Sequence, residues 1–235
     1  MAQMVDFESV DEITSNFTSL QNNGENVMVD GILDLEKYNS SRIKVMWILK
    51  QAIDYGEYDY SNFLVKGKDS IKSSPTWRRI ALASAGILLP TTSFSEIQQM
   101  SHQQLCDIML HTAIVNLVKT MGDVRTDDFT VEEGYKKYRS LVLKQISAYN
   151  PDIIVACFTG INERLKPIVE DIYLHFSGQK FHHSFPNVCS EGADVAVAMD
   201  NNKMLLWAYH PSYTHVTDKG YFETIVKGAS FLQLI

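Results

Sequence analysis

The chain has 235 residues, 45 % apolar and 21 % charged, which suits one domain with a sizeable core and excludes a disordered or collagen-like chain. Its formal net charge of -7 argues against a non-specific nucleic-acid binder, a class that is usually basic. Three scattered cysteines, Cys106, Cys157 and Cys189, form no Cys-x-x-Cys pair, so neither a disulfide framework nor a four-cysteine metal or iron–sulfur site is expected.

Residues 1–42 are polar, and Asp11, Ser15, Phe17 and Leu20 allow a short helix, so they are read as an N-terminal helical extension to a domain spanning 43–235. Lys44–Leu49 is a short apolar run of the kind that makes a buried parallel strand. Ser74–Leu89 reads as a helix with a Ser74 cap and Pro75 in the first turn, and Ser101–Cys106 opens another. Thr112–Val118 is a second strand, interrupted by the polar Asn116. Val131–Tyr149 repeats Tyr135, Tyr138, Val142 and Ile146 at helical spacing and must stop before Pro151. Asp152–Phe158 is a third strand, Asn162–Phe176 a helix broken at Pro167, Met204–Tyr209 a fourth strand and Tyr221–Leu234 the closing helix.

This alternation predicts an α/β fold, a three-layer α/β/α sandwich around a short central parallel sheet. Ligands of such sheets sit beyond the carboxyl ends of the strands. That rule groups the residues around Gln51, Asn116, Phe158 and His210.

The order of those strand ends carries a resemblance. TAIVNLVKTMGDVRTDD, then YNPDIIVACFTG, then LLWAYHPSYTHVTDKG over residues 43–232 resemble the uracil-DNA glycosylase superfamily, and most its compact bacterial branch. The resemblance implies that fold and a DNA-repair hydrolase that flips uracil or a related deaminated base and cleaves its N-glycosidic bond without a cofactor or metal. His210 would donate to the leaving base, with Gln51 and Asp54 as candidates to align water, and Asn116 would read the base edge over a stacked Phe63 or Tyr55. In the loop after the last strand, Ser212 would contact DNA and Tyr213 or Val216 would fill the gap left by the base; Lys119 would face phosphate. Lys66, Lys68, Lys72, Arg78 and Arg79 are a second candidate phosphate patch.

The first motif departs from the family pattern. The strand ends LKQAIDYGEYD, with Lys50 and Ile53 where the family has Gly and Pro, and no carboxylate falls in the usual register. An alternative is therefore a catalytically inactive binder of a nucleobase, nucleic acid or protein on the same fold. A zinc site at His182, His183 and Cys189 has no fourth ligand nearby, and Ser212 lacks the elbow of a hydrolase nucleophile. The acidic start MAQMVDFESVDEI is unlike a signal peptide, and no apolar stretch is long enough for a membrane span. A cytoplasmic monomer with DNA as partner is expected.

Overall fold

A computed structural model describes residues 4–53, 60, 70–122, 126–158, 160–184, 194–200 and 202–232. In chain order the elements are α1 (Phe7–Asn22), β1 (Gly31–Ile32), α2 (Leu35–Ser40), β2 (Val45–Ile53), α3 (Ser70–Ser73), α4 (Pro75–Leu88), α5 (Phe94–Gln98) and α6 (His102–Met109). They continue with β3 (Thr112–Gly122), α7 (Asp128–Tyr149), β4 (Ile153–Ala156), α8 (Lys166–Ser177), β5 (Val195–Asp200), β6 (Lys203–Ala208) and α9 (Asp218–Ala229).

The six strands lie in the order β1-β3-β2-β4-β6-β5. The four expected strands, β2, β3, β4 and β6, are the central ones and run parallel. Both edges are antiparallel, so the sheet is mixed and the expectation of a parallel sheet holds only for its centre. The cause at one edge is chain length. β5 ends at residue 200 and β6 starts at 203, and so short a connection can only reverse the chain. At the other edge, Gly31–Ile32 pairs with Ala113–Ile114, which gives residues 1–42 a strand as well as helix.

Side chains alternate between the two faces of each strand, and both faces are covered. One face gathers Trp47, Ile114, Val155 and Leu206 against Ile80 and Ala83 of α4 and Tyr221 and Ile225 of α9. The other gathers Met46, Val115, Ile154 and Trp207 against Phe17 of α1, Val142 and Ile146 of α7 and Ile172 of α8. Each such aliphatic or aromatic side chain is worth about 1.5–3 kcal/mol of burial.

The helix ends follow the chemistry of their residues. Ser74 caps α4 by accepting from Trp77 N–H, with Pro75 in the first turn where its missing N–H costs nothing. α7 stops at Asn150, whose left-handed φ of 43° turns the chain into Pro151. Pro167 does not break a helix begun at Asn162: α8 starts at Lys166, which places the proline in its first turn. Among the described residues, no helix is long and apolar enough to cross a membrane.

Candidate active site at the carboxyl edge of the sheet

Parallel pairing brings the carboxyl ends of β3, β2, β4 and β6 to one edge. Leu49 stands opposite Asn116, Ile48 opposite Ala156, and Ala156 opposite Trp207. The chain leaves β2 toward β3 on one side and continues through β4 and β6 on the other. The edge beyond β2 is thus a topological switch point, where open α/β sheets bind ligands.

His210 follows β6 and is half-buried. Ser212 N–H donates to its Nδ1 at 3.2 Å, and Ser212 Oγ lies 2.8 Å from the same nitrogen. A ring nitrogen that accepts from a main-chain N–H carries no proton, so the neutral ring bears its hydrogen on Nε2. Burial pushes the His210 pKa down to about 4, and the positive charge of Lys50 adds to that. The imidazole is therefore a neutral donor at ordinary pH. Ser212, expected against DNA, holds this ring.

Asn116 is completely buried at the level of the β2–β3 pairing. Its main-chain N–H and its Nδ2 donate to Asp30 Oδ2 at 2.7 and 3.3 Å, and Nδ2 also donates to Tyr60 Oη at 2.9 Å. Its Oδ1 is buried with no hydrogen-bond partner among the described residues. The amide orientation is set by this surrounding, because a flip would turn Oδ1 onto the Asp30 carboxylate.

Lys119 does not face phosphate. It is fully buried, and its ammonium donates to Asp30 Oδ1 and Oδ2 at 2.9 and 3.0 Å and to Gln145 Oε1 at 2.6 Å. Gln145 Nε2 returns a bond to Asp30 Oδ1 at 2.9 Å. Three donors from Lys119 meet three acceptors, which is the condition under which a charge tolerates burial. Burial lowers the lysine's pKa, and the carboxylate's charge opposes that.

Gln51 lies half-buried at the end of β2. Its Nε2 donates to the Thr120 carbonyl at 2.8 Å and its Oε1 accepts from Thr126 at 2.9 Å. A Cβ on Gly122 would come within 2.5 Å of its amide, so the Gln51 side chain in this position lies directly against the glycine and would have to shift for a larger residue. The two ends of the Gln51 amide thus tie β2 to the last residues of β3 and to the segment that follows it. Asp54, Phe63, Tyr55, Lys66, Lys68 and Cys189 lie outside the described residues. Tyr60, beside Asn116 and edge-on to Trp77 with ring centroids 5.1 Å apart, is the described aromatic there, and it was not singled out from the sequence.

The loop after β6 corrects two further expectations. Val216 is only 5 % exposed and does not project. Arg78 and Arg79 do not form a phosphate patch: both pair with Asp218, at 2.7 and 2.8 Å. Arg79 is buried and also donates to the carbonyls of Pro211 at 2.8 Å and of Tyr213 and Val216 at 2.6 Å. One guanidinium, with donors in a fixed fork, therefore sets the path of the loop that carries His210. Arg79→Ala is expected to cost about 3 kcal/mol, because three carbonyls lose their donor. Arg79→Lys should recover only part of that, since one ammonium cannot span them. Urea midpoints of the two variants measure both.

The sequence matches no family model and no curated protein. A cavity of about 620 Å³ lies at the opposite edge of the sheet, between the end of α4, α6 and the start of β2, with Arg42 and His111 in its wall. It is away from the strand ends described above.

Proposed function

We propose that the chain is a glycosylase-like hydrolase that removes uracil or a related deaminated base from DNA. The observation that carries this reading is the state of His210: a neutral imidazole, fixed by Ser212 as an Nε2–H donor, just beyond the end of β6, which through β4 and β2 stands level with the middle of β3 where Asn116 lies.

Cleavage breaks the bond between C1′ and the base nitrogen, and the electron pair leaves with the base. Water then adds its hydroxyl to C1′, and its proton ends on the base or on solvent. Negative charge grows on the base oxygens in the transition state, where a pre-aimed neutral donor lowers the barrier. Asn116 Oδ1, buried and unpartnered among the described residues, is an acceptor for a ring N–H. Uracil, hypoxanthine and xanthine carry such an N–H beside a carbonyl, whereas N3 of cytosine is itself an acceptor and would be repelled. On this reading, rejection of cytosine and adenine, whose ring nitrogens at that position are acceptors, rests on the carbonyl of Asn116, because its amide hydrogens are already given to Asp30 and Tyr60.

The engagement of Gln51 within the fold favours a second reading, a binder of the same bases that does not cleave. One assay separates them. Single- and double-stranded oligonucleotides containing uracil, hypoxanthine or xanthine are incubated with the protein and treated with alkali. Scission at the modified base is expected. Retention of the base-containing oligonucleotide with no scission at high protein concentration favours the binder, and neither retention nor scission removes both readings.

A further inference from the structure

We infer that the loop after β6 is a stacking platform for single-stranded DNA and not a wedge for duplex DNA; this rests on the reading that the His210 edge receives a nucleobase. The Tyr209 and Tyr213 rings lie parallel, 4.5 Å apart with 12° between planes, and His215 adds a third ring tilted 59° at 5.2 Å. This ladder flanks His210 directly in the chain. A Cβ on Gly160 would stand 2.8 Å from Tyr209, so the chain beyond the neighbouring strand β4 approaches the ladder's inner member closely.

A protein that extracts a base from a duplex must pay for unstacking and unpairing, and apolar side chains inserted between base steps do that work. This loop offers none. Val216 is buried, Tyr213 is half-buried against Tyr209, and the exposed residues are Ser212, Thr214, His215 and Thr217. Arg79 holds the carbonyls of Pro211, Tyr213 and Val216, so the backbone is not free to turn Val216 outward. In a single strand no partner base resists extraction and no gap needs filling. What is needed is a surface for the bases beside the target, and rings supply it whatever the base, since every base has a π-face.

The test uses the full chain and two kinds of probe. A short oligothymidylate, free or annealed to its complement, reports binding without cleavage by fluorescence anisotropy. The same oligonucleotide with one uracil reports cleavage. The parent protein is expected to bind the single strand at least about tenfold more tightly than the duplex. Tyr213→Ala is expected to weaken single-strand binding about ten- to a hundredfold, the usual weight of one stacking ring, while Tyr213→Phe stays close to the parent. The phenylalanine variant guards against a mere folding defect, since it keeps the ring. Equal or tighter binding of duplex, or single-strand binding indifferent to Tyr213→Ala, overturns the inference. Uracil released from duplex as fast as from single strand also overturns it and leaves the glycosylase reading intact. Tyr213-dependent single-strand binding with no uracil release sustains the inference and defeats the glycosylase reading.

Discussion

Asp30→Ala is expected to be the most destabilising single substitution among the site residues, at about 3–5 kcal/mol, because it leaves the Lys119 ammonium charged and unpaired in the core. The loss also takes the acceptor from Asn116 N–H, Asn116 Nδ2 and Gln145 Nε2. Against a typical total of about 5–15 kcal/mol, that removes a large share of the fold's stability. Lys119→Met alone should cost less, since Asp30 keeps its donors from Asn116 and Gln145. The double variant Asp30→Ala with Lys119→Met should lose less than the sum of the two single changes, because removing both charges leaves neither unpaired in the core. Urea midpoints for the four proteins close the cycle. Strict additivity would mean that the pair is not coupled. The same network decides what Asn116→Asp does. A second carboxylate would face Asp30 at the distance now spanned by an amide, so the expected result is a loss of stability and not a switch of base.

The four central strands were legible because each carries a short apolar run bounded by polar residues, but β3 runs on to Gly122, so Asn116 lies within that strand and not at its end, whereas His210 does follow β6. β5 escaped notice although Val195–Asp200 and Lys203–Ala208 are separated by only two residues, a spacing that forces a hairpin. Position along the chain does not tell a buried cation from an exposed one, as Lys119 and Arg79 show. A cation within a long apolar strand is buried only where a counter-charge meets it. For Lys119 the counter-charge is Asp30, far away in sequence but itself set within the apolar stretch VMVDGIL. An acid inside such a stretch is a signal of a buried partner, because carboxylates are almost never fully buried unpaired. Asp218 gave no such signal: it opens α9 as an ordinary first-turn acid, and only the folded chain brings Arg78 and Arg79 to it.

His210→Ala is expected to slow base release about a hundred- to a thousandfold while changing the binding of uracil-containing single strand far less, since the hydrogen bond strengthens only as charge develops on the departing base. The pH profile distinguishes this role from that of an ordinary histidine. With its pKa pushed down to about 4, the ring stays neutral through the range where a free imidazole near 6.5 would titrate. The rate should therefore show no inflection between pH 6 and 7 from this group. Protonation nearer pH 4 would put a hydrogen on Nδ1 against the Ser212 N–H that now donates to it, which opens the turn holding the ring. Stability carries the same signature. The unfolded chain takes up a proton as pH falls below 6.5 and the folded chain does not, so the stabilisation tied to neutral His210 is complete above 6.5 and is lost as pH falls through about 4. At about 1.4 kcal/mol per pKa unit, and allowing for the ring's partial exposure, the loss across that window is ~1–3 kcal/mol. Denaturation midpoints of the parent and of His210→Ala should diverge in slope only between those two pH values. An inflection of the parent's rate near 6.5, or a variant that releases uracil as fast as the parent, would sink the assignment of a neutral donor to the end of β6.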